Sequence, residues 1–167
     1  MKEDYKTDNG PPPPYSHRPP PSGTRIPLHL NSTFPNPANT KEPPCYDADG
    51  LSPIFIGSAI FQRSVHPCKI APHLPIPCHV PYGSTEVEHE GRYDLLPFDP
   101  ATMEWVRTSH GRIPYGRDPV DGGYEETGQH LYHAMGRVNG TLVPGKTGEH
   151  LVRILILLEA ILRYLSS

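Results

Sequence analysis

The apolar residues between Cys45 and Lys146 occur in short runs, separated by glycine, proline and Asp or Asn. Runs of this length with such punctuation predict short β-strands. The candidate strands are Ile54-Phe55-Ile56, Ala59-Ile60-Phe61, Cys78-His79-Val80, Trp105-Val106, Leu131-Tyr132 and Thr141-Leu142-Val143. Asn139-Gly140 predicts a tight hairpin turn, and Gly122-Gly123 predicts a second turn. No segment before residue 148 keeps a helical period for three turns, so this part of the chain is predicted to be all-β and antiparallel.

The pattern changes near the C-terminus. Apolar residues recur at helical spacing from Leu151 to Leu165, and Arg153, Glu159 and Arg163 fall on the opposite side. This arrangement predicts an amphipathic helix over residues 151–167. The run contains charges and is shorter than the ~20 residues of a membrane span, so no span is predicted.

The distribution of proline adds a third segment. Of the 23 prolines, 12 lie in the first 44 residues. Residues 1–44 are therefore predicted to form a disordered, partly polyproline II arm. Within the arm, Pro12, Pro13 and Tyr15 match the PPxY pattern that WW domains bind, and a simple spacer is the alternative interpretation.

Net charge, cysteine content and the N-terminal residues bear on the binding partners and the location of the protein. The net charge is −3 and no block of like charges occurs, so the composition gives no basis for nucleic-acid binding. The cysteines are Cys45, Cys68 and Cys78, an odd number without framework spacing, which indicates a reduced protein. The N-terminus has no apolar leader. We therefore expect a cytoplasmic protein, or one secreted by a non-classical route.

Two stretches of the chain, 77–78 residues apart, repeat the same order of residue types. Each has a tyrosine, an acidic residue, a glycine, an apolar–aromatic pair and then Pro-x-Lys. The first copy is Tyr46-Asp47-Ala48-Asp49-Gly50, Ile54-Phe55 and Pro67-Cys68-Lys69, and the second is Tyr124-Glu125-Glu126-Thr127-Gly128, Leu131-Tyr132 and Pro144-Gly145-Lys146. This match predicts an internal duplication.

Each copy places a carboxylate at a turn and a lysine about 20 residues later, after two strands that a turn joins. The returning strand can bring Lys69 beside Asp47, and Lys146 beside Glu125. A carboxylate acceptor next to an ammonium donor suits a polyhydroxylated ligand such as a sugar. A structural ion pair at the surface is the alternative.

A set of short motifs extends over residues 45–150. The second copy carries Met103-Glu104-Trp105-Val106, Gly111-Arg112-Ile113-Pro114, Gly122-Gly123-Tyr124-Glu125, Leu131-Tyr132, Gly136-Arg137 and Leu142-Val143-Pro144-Gly145-Lys146, and the first carries Ile54-Phe55-Ile56-Gly57-Ser58-Ala59, Pro67-Cys68-Lys69, Val80-Pro81-Tyr82-Gly83-Ser84-Thr85-Glu86 and Tyr93-Asp94-Leu95-Leu96. As a set, these motifs resemble the DM-nine repeat of invertebrate proteins. The resemblance implies a compact module of two tandem repeats that exchange strands. It also implies a mannose-type lectin or pathogen-recognition protein.

The resemblance assigns the ligand residues as Asp47 with Lys69, and Glu125 with Lys146. Glu86 matches a further acidic position of the family. The resemblance ends after Lys146, so we expect a truncated second repeat, a foreign segment over residues 148–167 and lower stability than that of a complete relative.

Other motifs in the chain point to less suitable functions. Gly140 to Thr147 fits the phosphate-loop pattern G-x-x-x-x-G-K-[ST] letter for letter, but the chain has no βαβ alternation around it, so a turn and a strand are predicted instead. The ten histidines have no zinc-site spacing. No nucleophile motif occurs. We therefore expect no enzyme, metal or cofactor, and we expect Trp105 to anchor the core.

These observations favour a lectin-like protein that binds mannose-type glycans, with a role in innate immunity. An interaction adaptor that uses the PPxY-containing arm is the alternative. A second copy of the chain, in a homodimer, is a further partner to test.

Overall fold

The computed structural model describes residues 24–82, 85–108, 112–116, 118–151 and 158–165. These residues form twelve strands: β1 (Ile26–Leu28), β2 (Cys45–Tyr46), β3 (Pro53–Ile60), β4 (Val65–Ile70), β5 (Cys78–Tyr82), β6 (Thr85–Glu88), β7 (Tyr93–Leu96), β8 (Met103–Arg107), β9 (Asp121–Tyr124), β10 (His130–Val138), β11 (Thr141–Thr147) and β12 (Leu158–Tyr164). In the same ranges, the helical elements are α1 (Pro37–Thr40) and a 3-10 turn (Glu149–Leu151). The predicted all-β class is confirmed.

The strands form a curled antiparallel sheet in the order β1-β7-β3-β4-β9-β10-β12-β8. Strand β2 pairs with β3, β11 pairs with β10, and the β5–β6 hairpin extends from β4. Each half of the sheet contains one long hairpin, β3–β4 or β10–β11. Two further strands follow one another on one side of each hairpin. They are β7 and then β1 beside β3, and β12 and then β8 beside β10.

The register of these strands confirms the internal repeat. Gly57 of β3 lies opposite Leu95, which in turn lies opposite Ile26 of β1. Ala134, which is 77 residues after Gly57, lies opposite Ile161, and Ile161 lies opposite Val106 of β8. The two copies therefore place corresponding residues on corresponding strands.

Strand β9 connects the two copies. It pairs with β10 of its own copy and reaches β4 of the first copy, where Tyr124 lies opposite Val65. The prediction of a turn at Gly122-Gly123 is wrong, because both glycines lie within β9. Glycine is needed there because a Cβ atom on Gly123 would clash with the Val65 carbonyl, and one on Gly122 would meet the Pro67 ring at 2.6 Å. The predicted hairpin turn at Asn139-Gly140 is confirmed, since it joins β10 to β11.

The N-terminal arm was predicted to be disordered over residues 1–44. Within residues 24–44 the structure instead has β1, which pairs with β7, and α1. Asn36 caps α1 by accepting a hydrogen bond from the Asn39 amide, and Pro37 occupies the first turn. The WW-binding candidates Pro12, Pro13 and Tyr15 lie outside the described residues.

The predicted C-terminal amphipathic helix is wrong over residues 158–164, and residues 152–157 and 166–167 lie outside the described residues. Residues Leu158–Tyr164 form β12, which lies between β10 and β8. Ile161 packs against Ala134, whereas the adjacent Leu162 packs in the cluster that contains Leu96. A strand that is buried on both faces needs consecutive apolar residues, and such a run also fits a helical period.

Apolar residues from both copies form the core. The first cluster, around β3, β4, β5 and β7, includes Phe55, Ile70 and Leu95. Trp105 is partly buried and packs against two further clusters, as expected for a core anchor. The three cysteines are buried free thiols.

A buried polar cluster ties the N-terminal segment to both copies. Arg25 donates to the Ser58 hydroxyl at 2.9 Å and to the Asp121 carbonyl at 2.7 Å. Its guanidinium also lies 3.4 Å from Nε2 of His133, and Ser58 donates to the Gly122 carbonyl at 2.7 Å. Because these groups are buried or partly buried, the contacts replace hydrogen bonds to water and tie the N-terminal segment to both copies.

The first testable prediction distinguishes the strand from the helix. Leu162→Ala should lower the free energy of unfolding by about 2–5 kcal/mol, because Leu162 is fully buried. Leu165→Ala is the matched control and should change it by less than about 0.5 kcal/mol, because Leu165 is 38% exposed. A helix would put both leucines on one apolar face. Equal losses in urea denaturation would therefore contradict the strand.

A second prediction concerns acid stability. Burial, together with the charge of Lys146 and of His89, lowers the pKa of His66 to about 3. Burial also lowers the pKa of His89 and of His133, although the hydrogen bond from His89 to the Arg92 carbonyl partly opposes this for His89. The unfolded chain takes up protons at these histidines near pH 6.5.

The free energy of unfolding should consequently fall as the pH drops below about 6.5, by at most about 1.4 kcal/mol per pH unit for each buried histidine. Urea melts at pH 7.5 and 5.0 measure this change. His89→Gln should flatten the dependence and exposed His29→Gln should not. A wild-type midpoint that is unchanged between the two pH values would refute this account.

Candidate functional site

Two equivalent turns present the predicted carboxylates. Asp47 follows β2 and Glu125 follows β9. In the first turn the Gly50 amide donates to the Asp47 carbonyl at 2.8 Å, and in the second the Gly128 amide donates to the Glu125 carbonyl at 2.8 Å. Gly50 and Gly128 both have positive φ, of 70° and 85°, which the turn geometry requires. The repeat therefore places the two carboxylates in the same local geometry.

The first site contains Asp47, Lys69 and Glu86. The Lys69 ammonium donates to Oε2 of Glu86 at 2.6 Å, and Asp47 Oδ2 lies 3.0 Å from Nε2 of His73. Burial raises the pKa of the Cys45 thiol to about 11. The positive charge of Lys69 lowers this pKa, and the negative charge of Asp47 raises it. The charges of Lys69 and Asp47 thus lie near the same thiol, although Lys69 pairs directly with Glu86 and Asp47 with His73.

The second site brings together Glu125, Lys146 and a histidine of the first copy. The Lys146 ammonium lies 3.0 Å from Nδ1 of His66, and Nε2 of His66 lies 3.9 Å from Oε2 of Glu125. His150 approaches the other oxygen of Glu125 at 3.6 Å. The predicted pair therefore meets around one imidazole ring. Residues of both copies build this site.

The protonation of His66 follows from its neighbours. The Lys146 ammonium can only donate, so Nδ1 of His66 accepts. The proton of the neutral ring is then on Nε2, which lies 3.0 Å from the Ser64 hydroxyl and donates to it. Because burial is the largest cause of the low pKa of this ring, His66 is neutral at pH 7. Lys146 is consequently the cationic group of the second site.

Two site residues, His73 and His150, were missed in the sequence. Each lies four residues after the predicted lysine of its copy, and the two are 77 residues apart. Each contacts the turn carboxylate of its own copy, Asp47 or Glu125. The signal was present in the repeat spacing, which continues beyond Lys146.

The β5–β6 hairpin makes the two sites chemically different. It contributes Glu86 to Lys69, and Nδ1 of His79 lies 3.8 Å from the same carboxylate. Its Tyr82 instead faces the second site, where the Lys146 ammonium lies 5.7 Å from the ring centroid. The second copy connects β11 to β12 through residues 148–157, whereas residues 71–92 connect β4 to β7. The described part of that shorter connection, residues 148–151, holds no counterpart of the hairpin.

A family model for the DM9 repeat matches residues 47–159 of the chain. The chain belongs to the DM9 repeat family. DM9 repeats are associated with carbohydrate-binding, lectin-like recognition, and they are binding domains. No protein among the curated ones matches this chain.

The DM9 match continues past Lys146, where the resemblance was expected to end. Residues 148–159 are therefore not foreign to the family. The structure gives the same result, because the Leu151 amide donates to the Gly148 carbonyl at 2.9 Å just as Leu74 donates to Ala71 at 3.0 Å. Strand β12 then takes the place that β7 has in the first copy.

The octet from Gly140 to Thr147 does not form a phosphate loop in this DM9 protein. Gly140 completes the hairpin turn, and Thr141–Thr147 is strand β11, paired along its length with β10. A phosphate loop needs free backbone amides at a helix N-terminus, and the ladder with β10 leaves no such loop here. The predicted turn and strand are confirmed.

No group of three or more His, Cys, Asp or Glu side chains among the described residues is arranged to hold a metal ion. No helix within the same part of the chain is long and apolar enough to cross a membrane.

Proposed function

We propose that this protein is a lectin-like recognition protein that binds mannose-type glycans and serves innate immune recognition without catalysing a reaction. The observation that carries the proposal is the repeated set of carboxylate, histidine and lysine: Asp47, His73 and Lys69 in the first copy, and Glu125, His150 and Lys146 in the second. Membership of the DM9 repeat family supports it.

The chemistry of this set suits sugar hydroxyls. Each hydroxyl can donate to a carboxylate and accept from an ammonium group, so vicinal hydroxyls can use both at once. The side chains of Asp47 and Glu125 are 35% and 27% exposed. They are therefore accessible to a ligand, and the turns fix the backbone that carries them.

The two sites should contribute unequally. In the first site Glu86 already pairs with Lys69 at 2.6 Å, so a ligand must share or displace that contact. We propose that Glu86 also accepts from the sugar. In the second site Glu125 is longer than Asp47 by one methylene group, which extends its reach towards His66 and His150.

A glycan array and a mannan pull-down with the full chain test the proposal. Lys69→Met and Lys146→Met retain the aliphatic stem and remove the charge. Each should weaken mannan binding by about tenfold or more, because a hydrogen bond to a charged group contributes about 1.5–3 kcal/mol. The double variant should not bind.

Lys41→Met removes an exposed lysine at the end of α1 and is the matched control, for which unchanged binding is expected. Thermal melts verify that each variant is folded. Mannan binding that survives in the double variant would show that the assigned lysines are not the site.

An interaction adaptor is the second candidate function, favoured by the sequence Pro12-Pro13-Pro14-Tyr15. The groove of a WW domain accepts the proline rings and the tyrosine of such a segment. Fluorescence polarisation of labelled full chain against a WW domain should show binding that Tyr15→Ala abolishes and Tyr5→Ala leaves intact. Equal binding by the two variants would exclude recognition through this motif. Tyr15→Ala should leave mannan binding unchanged.

A further inference from the structure

Tyr82 is exposed at the edge of the second site. It ends β5 and lies opposite Thr85 in the β5–β6 hairpin, so the hairpin fixes its backbone. Its residue surface is 64% exposed, which excludes a core role. The Lys146 ammonium lies 5.7 Å from the ring centroid, within cation–π range. The ring thus stands beside the cation of the second site while remaining open to solvent.

We propose that the Tyr82 ring is a stacking platform for a hexopyranose bound at the second site, which makes the site a joint product of the two copies. This inference rests on the proposed glycan-binding function and adds a contact that neither the repeat nor the charged residues require. The platform comes from the first copy, and the hydrogen-bonding groups Glu125 and Lys146 come from the second.

The chemistry of the two surfaces is complementary. The face of a hexopyranose presents C–H groups, and the face of an aromatic ring carries negative charge density that attracts them. Tyrosine loses little side-chain entropy on binding because only two torsions must be fixed. A sugar ring on Tyr82 lies within reach of Lys146, so its hydroxyls can contact the charged groups while its C–H face covers the ring.

The contacts that link Tyr82 to Glu125 across the site mark the surface on which the sugar is proposed to lie. Lys146 touches His66 at 3.0 Å, and His66 approaches Glu125 at 3.9 Å. Tyr82, Lys146, His66 and Glu125 therefore form a continuous series of neighbours. The first site receives Glu86 and His79 from the same hairpin, so the hairpin supplies a carboxylate there and an aromatic ring here. The two sites should consequently differ in affinity.

The test uses the full chain with Lys69→Met as background, so that binding reports the second site. Methyl α-mannopyranoside and mannan are the probes, measured by calorimetry and biolayer interferometry. In this background Tyr82→Ala should weaken binding about tenfold and Tyr82→Phe should change it less than about twofold. Tyr115→Ala is the matched control, since Tyr115 is also exposed but lies in the loop before β9.

A spectroscopic readout separates stacking from a general loss of apolar surface. The ring current of Tyr82 should shift the C–H protons of methyl α-mannopyranoside upfield. Tyr82→Phe should keep this shift, and Tyr82→Leu should lose it although the side chain stays apolar. In a Lys146→Met background with Lys69 intact, Tyr82→Ala should have no further effect, because the two residues act on one sugar.

The possible failures are distinguishable. If Lys146→Met removes binding but Tyr82→Ala retains both the affinity and the proton shifts, the platform is wrong and the proposed function stands. If the unchanged protein binds neither probe and no glycan on the array, both are overturned. Equal losses in Tyr82→Ala and Tyr115→Ala would also overturn the platform.

Discussion

The close approach of β9 to β4 is the constraint on which the arrangement of the two copies depends. Gly123 of β9 lies against the Val65 carbonyl, and only a residue without a Cβ atom fits there. This contact carries Glu125, two residues further along, to His66, the residue after Val65. The second site therefore exists because one glycine allows two backbones to meet. The junction of the two copies and the formation of this site therefore have the same cause.

The Arg25 cluster reinforces this junction from the N-terminal side. Its guanidinium joins Ser58 of the first copy to the Asp121 carbonyl and to His133 of the second. The charge of Arg25 also helps to lower the pKa of His133, although burial is the larger cause. A neutral histidine can accept from the guanidinium, and a protonated one would repel it. Protonation of His133 would therefore weaken this junction.

Duplication of a domain does not by itself give two equal sites. The turns around Asp47 and Glu125 match closely in their contacts, and His73 and His150 approach the corresponding carboxylates at 3.0 and 3.6 Å. The single β5–β6 hairpin breaks this symmetry, because it places Glu86 on Lys69 and Tyr82 beside Lys146. One copy of the hairpin therefore gives the two candidate sites different neighbours.

The sequence by itself determined the all-β class and the internal repeat, and it indicated the carboxylates and lysines of the two candidate sites. These follow from local signals: turn residues such as Asn139-Gly140, short apolar runs and a constant spacing between carboxylate and lysine. The same spacing contained His73 and His150, which would have been found by following the repeat to Leu151.

Only the tertiary structure decided the form of residues 158–164 and the role of Gly122-Gly123. A run such as Ile161-Leu162 fits a helix as well as a strand. The strand is selected because the segment pairs with β10 on one side and with β8 on the other. Likewise, two adjacent glycines indicate a turn unless another backbone passes close to them. Contacts between residues far apart in sequence, such as His66 with Lys146, depend on how the two copies meet along β4 and β9, and local patterns do not encode which strands meet.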